Sequence, residues 1–128
     1  MGYKVVWSIK DFKLPEENPD FYVKEWMPQI EVLAHPAMKA GLCHCGFGGI
    51  LEFTGLGLPI VGWPHFNDQH DNAEEMERRK VAVILKNIKV GGRDAMDIDK
   101  LMTYKDVAFT KDDVTRAFKE ATQNPIYK

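Results

Sequence analysis

The chain has 128 residues, 45% of them apolar and 28% charged, a length that serves one domain and is short for two. Its 17 basic and 19 acidic side chains leave a net charge of −2, so nucleic acid is not the default partner, while the apolar content argues against a disordered chain. No apolar run approaches the ~20 residues of a membrane-spanning helix, the opening Met1-Gly2-Tyr3-Lys4-Val5-Val6-Trp7 lacks a secretory signal's apolar stretch, and Val6 stands where myristoylation needs Ser or Thr.

Residues 3–9, rich in β-branched and aromatic side chains, predict a strand. Residues 10–20 carry charge, Pro15, Pro19 and Asn18, and predict a loop. A short extended run follows at Phe21 and Val23. Pro28 is placed to open a helix through Ala34, with Ile30, Leu33 and Ala34 as its buried face. Then the pattern becomes rhythmic: a buried strand over 40–45, a tight loop over 46–49 and a helix over 50–56. A strand over 59–63, a charged helix over 68–80 and a strand over 81–85 complete it. Short apolar strands alternating with helices imply crossover connections, hence an α/β fold with a parallel sheet and helices on both faces. Residues 91–100 predict a loop and a short helix. Thr110 can cap a last helix whose Val114, Ala117, Phe118 and Ala121 share one face.

In such a sheet, ligands sit beyond the carboxyl ends of the strands. There the sequence places Cys43-His44-Cys45 followed by Gly46, Gly48 and Gly49, leading directly into a helix. Glycines let a ligand approach the backbone, the free N–H groups of a helix start favour an anion, and His44 adds a side-chain donor. A diphosphate fits this spot; a tight turn that needs glycine for geometry alone fits it as well. Neither Gly46-Phe47-Gly48-Gly49 nor Gly55-Leu56-Gly57 completes G-x-G-x-x-G, and no G-K-S/T follows. Cys43 and Cys45 are too close for a loop-stapling disulfide and lack paired zinc spacing, so no metal is expected. Their pattern suits a reducing interior, and the expected location is cytoplasmic.

Residues 26–69 resemble the signature box of the family-one UDP-sugar-dependent glycosyltransferases, best known from plant secondary metabolism. The matching pieces are Trp26-x-Pro28-Gln29, Leu33-x-His35-Pro36, His44-Cys45-Gly46, Leu51-Glu52, Gly57-x-Pro59, Trp63-Pro64 and Asp68-Gln69, all in register. Asp71-Asn72-Ala73 and Asn124-Pro125-x-Tyr127 are similar to the family less specifically. The resemblance implies a Rossmann-like sheet, the donor-binding half of a GT-B glycosyltransferase. It implies Trp26 as the platform for uracil, Gln29 beside base and ribose, and His44 with 46–49 at the diphosphate. Glu52 would grip the ribose hydroxyls, and Asp68 and Gln69 would read the donor sugar; His35 and Trp63 read as scaffold. The plain alternatives are a core aromatic for Trp26, a core histidine for His44, a solvated glutamate for Glu52 and an N-cap for Asp68.

The family's Trp-Asn-Ser is Phe47-Gly48-Gly49 here, and Lys39 and Cys43 replace a usual Gly and Thr. Losing two side-chain contacts near the phosphates is expected to cost on the order of 1–3 kcal/mol of donor binding. The family's catalytic histidine lies in an amino-terminal, acceptor-binding domain, so no catalytic residue is expected within this chain. The expectation is a single truncated domain over 1–128 that binds a UDP-sugar, with UDP-glucose weakly favoured, and supports inverting hexosyl transfer to a small acceptor. No separate cofactor is implied. The alternative is a non-catalytic nucleotide-sugar-binding module or subunit. An absent opening strand would leave a bare sheet edge for self-association or a partner chain.

Overall fold

The computed structural model describes residues 2–65, 67–85, 88–89, 104–105 and 109–127; the loop and short helix expected over 91–100 lie outside them. The chain divides into two compact units, Met1–Val32 and Leu33–Lys128.

In the first unit, β1 (Val5–Ser8) and β2 (Phe21–Lys24) pair in parallel, with Trp7 opposite Val23. Parallel neighbours need a long return, which the expected loop between them supplies. Asn18 shapes its end: its side-chain oxygen accepts the Asp20 N–H at 3.0 Å and its carbonyl accepts the Phe21 N–H at 3.0 Å. Helix α1 (Gln29–Leu33) begins just after Pro28, whose carbonyl accepts the Val32 N–H at 3.0 Å. Only Leu33 of its expected buried face is buried. Ile30 is 56% exposed and Ala34 is exposed, because a helix of little more than one turn brings a single residue to the core cluster that Leu33 joins.

The second unit is built on β3 (Gly41–Cys43), β4 (Ile60–Gly62) and β5 (Ala82–Ile84), parallel in that order. Each strand is shorter than its apolar run predicts, since the flanking residues turn away into loops. Side chains alternate across the sheet. Cys43, Ile60, Ala82 and Ile84 face α2 (Phe47–Gly55) and α3 (Asp68–Arg78) through Ile50, Phe53, Ala73 and Met76. Val61 and Val83 face α4 (Lys111–Gln123) through Val114, Ala117, Phe118 and Ala121. Helices therefore cover both faces, as the alternating pattern predicts. Ile60 and Val61 are fully buried on opposite faces of the central strand, each contributing about 2 kcal/mol by leaving water. Two further short strands, β6 (Ile88–Lys89) and β7 (Tyr104–Lys105), pair antiparallel.

Local chemistry sets the helix ends. Thr110 caps α4 as expected: its Oγ1 accepts the Asp113 N–H at 3.2 Å and Asp113 accepts the Thr110 N–H at 2.9 Å. That bond holds the Asp113 carboxyl below the usual carboxylate range. Helix α3 stops at Arg78, two residues before the predicted end, because Lys80 takes a left-handed φ of 62° that redirects the chain into β5. At the end of α2, Gly57 has a φ of 68°, its N–H donates to the Thr54 carbonyl at 3.1 Å, and the Leu58 N–H donates to the Phe53 carbonyl at 2.9 Å. This is a Schellman closure, which requires the left-handed residue that glycine supplies without strain. Among the described residues no helix is long and apolar enough to cross a membrane.

Cys43 and Cys45 are buried, free thiols. Burial, helped by the neighbouring Cys43, pushes the Cys45 thiol up to about 12, and burial raises Cys43 too. Both folded pKa values lie above that of an unfolded thiol. Their contribution to stability is therefore complete below pH ~9 and is lost as pH rises from there through the folded values. The folded chain is expected to resist iodoacetamide at pH 8 and to take up two labels on unfolding in urea, read by mass spectrometry. Replacing Gly57 by Ala should cost about 1 kcal/mol, and by Asn less, in urea denaturation; equal stability of all three forms would contradict the strained turn.

Candidate functional site

In the second unit the loops after β3 and β4 open on the same edge of the sheet, the carboxyl edge where parallel sheets bind ligands. Strand β3 stops at Cys43, and Cys45, with a φ of 65°, turns the chain sharply. Gly46 is extended and caps α2, so Phe47, Gly48 and Gly49 are the first turn of a helix and not the loop their composition suggests. Three glycines lower helix propensity. The buried Ile50 and Phe53 nevertheless anchor the helix, and its first turn needs no inward N–H bonds. The first helical bond runs from the Ile50 N–H to the Gly46 carbonyl at 3.1 Å. The N–H groups of Phe47, Gly48 and Gly49 therefore have no partner within the helix, and no side chain caps it. They form the positive end of its dipole.

His44 is exposed, so it is not a core histidine. Its imidazole rests against Gly46, with Nε2 nearest the place where a Cβ would stand; any side chain at 46 would displace the ring. A hydrogen-bond donor is thereby held at the mouth of α2. Glu52 is half-buried one turn beyond Gly48 and Gly49 on the same helical face, close enough to Cys43 to add to the rise of that thiol's pKa. Gly48 faces open space, whereas a Cβ on Gly49 would stand 3.0 Å from Cys43 Sγ.

The second loop is braced from α3. Asn67 occupies the N-cap position with a φ of 56° and makes no side-chain cap bond, which places Asp68 first in the helix. Asp68 is exposed, whereas Gln69 is buried and its Oε1 accepts the His65 N–H at 2.9 Å. Gln69 thus holds the loop that leads into Asp68 and α3. Asn72 Nδ2 donates to Asp68 Oδ2 at 2.9 Å and to the Cys45 carbonyl at 3.1 Å, tying the turn after β3 to the start of α3. Sequence reasoning gives Asn72 no role at the site. Its i, i+4 spacing from Asp68 is legible, but the bond to Cys45 spans 27 positions and leaves no periodic trace. His35 and Trp63, expected as scaffold, make local contacts: His35 Nδ1 accepts the Ala37 N–H at 3.1 Å, and Trp63 meets the rings of His65 and Phe109 at 4.5 and 5.0 Å. Among the described residues no three His, Cys, Asp or Glu side chains gather in a metal-holding group.

The structure groups His44, Gly46, Phe47, Gly48, Gly49, Glu52, Asp68 and Gln69 in the second unit, while Trp26 and Gln29 belong to the first. Trp26 follows β2 and is 77% exposed, so its indole is not part of that unit's packing; Gln29, also exposed, opens α1.

Over residues 1–128 the chain matches the family described as UDP-glucoronosyl and UDP-glucosyl transferase. It is 36% identical over 126 residues to UDP-glucuronosyltransferase 2B17 of Rattus norvegicus, covering 98% of this chain and 20% of that one. To UDP-glycosyltransferase 74C1 of Arabidopsis thaliana it is 40% identical over 86 residues, covering 59% and 19%. Among solved structures, the glycotransferase of kitacinnamycin is similar with a TM-score of 0.74 at 27% identity, over 97% of this chain and 28% of that one. Os79 of O. sativa, solved in complex with UDP and deoxynivalenol-3-glucoside, is similar with a TM-score of 0.62 at 25% identity, over 84% and 22%. The chain spans about a fifth of the length of the curated relatives it matches. A parallel sheet with helices on both faces, and a family match that runs its whole length, show that the chain belongs to the UDP-glucoronosyl and UDP-glucosyl transferase family and has the Rossmann-like fold of the GT-B glycosyltransferases.

Proposed function

We infer that this chain binds a UDP-sugar and serves as the donor half of an enzyme that transfers a hexose to a small acceptor. The observation that carries the reading is the mouth of α2. N–H groups without a helical partner and the His44 imidazole converge where a diphosphate would be neutralised without a metal. Gly48, which faces open space, leaves the backbone open to close approach. Glu52, one turn further along, offers two acceptor oxygens to a vicinal diol. Asp68 stands at the start of α3 to read sugar hydroxyls, with Gln69 bracing the loop that leads into it. Trp26 and Gln29 are assigned to the uracil and ribose by their place in the family pattern and by the exposure of both side chains. The ligands of Os79, UDP and a glucoside, support the same substrate class.

In such a transfer the acceptor oxygen attacks the anomeric carbon as the bond to the diphosphate oxygen breaks. The leaving group departs with the electron pair, and the hydroxyl proton passes to a base on the opposite face. The dipole end of α2 and His44 act on the leaving diphosphate, where negative charge grows. His44 is therefore spent on that side and is not the base. Among the described residues of the second unit β3 pairs on one side only, with β4, which supports a further reading, that its other edge takes another strand from a second copy or a partner chain.

Calorimetric titration is expected to show UDP and UDP-glucose binding in preference to ADP-glucose and NAD; equal affinity for adenine and uracil nucleotides would overturn the assignment. In the same assay Glu52→Ala should lose about 2 kcal/mol, or about 30-fold, for UDP while staying folded. Gly48→Asn should tighten UDP binding about fivefold by placing an amide donor in open space beside the phosphates. Gly49→Ser, which must first displace Cys43 Sγ, should gain less.

A further inference from the structure

Asn72 lies between the two loops of the second unit. An amide NH2 carries two hydrogens, and here one acceptor is the Cys45 carbonyl at 3.1 Å and the other is Asp68 Oδ2 at 2.9 Å. Neither acceptor is ordinary. Cys45 holds a left-handed φ of 65° that a side-chain-bearing residue rarely keeps without support. It sits between His44 and Gly46, so its dihedrals aim the imidazole and the first turn of α2 together. Asp68 is exposed and has rotational freedom unless something holds its carboxylate.

We propose that Asn72 is a positioning residue that locks the carboxylate of Asp68 to the Cys45 turn, so that the donor sugar and the diphosphate are held in one register. The proposal rests on the UDP-sugar reading of this site. A neutral amide suits the task by its chemistry. Aspartate of the same shape cannot donate and would set a second carboxylate beside Asp68, and serine has one hydrogen for two acceptors. Because the Cys45 bond acts on the diphosphate and the Asp68 bond acts on the sugar, loss of Asn72 should weaken both ligands unequally.

The test is calorimetric titration of the full chain with UDP and with UDP-glucose, for wild type, Asn72→Asp, Asn72→Ala, Asp68→Ala and the Asp68→Ala/Asn72→Ala double variant. Backbone amide spectra of each ligand-free chain accompany it. Asn72→Asp and Asn72→Ala should weaken UDP about fivefold and UDP-glucose about fiftyfold. Asp68→Ala should weaken UDP-glucose about tenfold more than UDP, and the double variant should show no sugar-specific loss beyond that. The ligand-free amides of residues 45–49 should shift in both Asn72 variants. A ratio of UDP-glucose to UDP affinity that stays at the wild-type value in the Asn72 variants overturns the proposal, as does a fully additive double variant. If wild type binds neither ligand, the proposed function fails. The amide spectra then decide the tie itself, shifted signals at 45–49 supporting it and unshifted ones overturning it.

Discussion

The passage from β3 into α2 turns on one residue. Cys45 adopts a left-handed backbone with a side chain attached, a conformation that costs an L-residue about 1–2 kcal/mol. Three things hold it there. Its side chain is fully buried, with the sulfur against Gly62, where a Cβ would come within 2.7 Å of it. Its N–H donates to Cys43 Sγ at 3.3 Å, and its carbonyl takes the Asn72 amide. With the turn fixed, α2 can start two residues later with its N-terminus at the sheet edge and His44 folded over it. A glycine at 45 would remove the backbone cost and also the buried sulfur that makes the turn rigid.

The layers around that turn explain why its geometry persists. A three-stranded parallel sheet offers few strand-to-strand hydrogen bonds, so most of its stability comes from burial on both faces. One face packs against α2 and α3, and on the other β4 and β5 pack against α4. The site grows from the same helices that pack on the first face. Ile50 and Phe53 anchor α2 below while its first turn stays open above, and Ala73 anchors α3 while Asp68 and Asn72 project from its beginning. Each helix thus anchors through apolar residues of its body while its first residue stays exposed at the sheet edge.

Gly48 and Gly49 show the compromise in this arrangement. Glycine weakens a helix start by increasing the entropy lost on folding, and it offers no side-chain donor where the signature box that the sequence resembles carries Asn and Ser. In return the backbone of the first turn is bare. Gly49 also has little room for a side chain, with Cys43 Sγ at 3.0 Å from its would-be Cβ, whereas Gly48 has space. The two substitutions therefore have different physical standing: one is bound up with Cys43, itself a departure from the family's usual threonine, and the other is not.

The sequence by itself determined the alternation of strands and helices, because buried faces impose a period of two on a strand and near 3.6 on a helix. It also determined the caps, since Thr110 and Asp113 meet within one turn, and it marked the stretch after β3 through its glycines and His44. Tertiary structure decided where α2 begins, because anchoring by Ile50 and Phe53 outweighs the poor propensity of Gly48 and Gly49 in its first turn. It decided that Ile30 and Ala34 stay in solvent and that Gln69 turns inward to His65. It alone joined Asn72 to Cys45. Periodicity records which side of an element is buried; a polar bond between distant segments depends on where the packed core brings their ends, and only the folded chain specifies that.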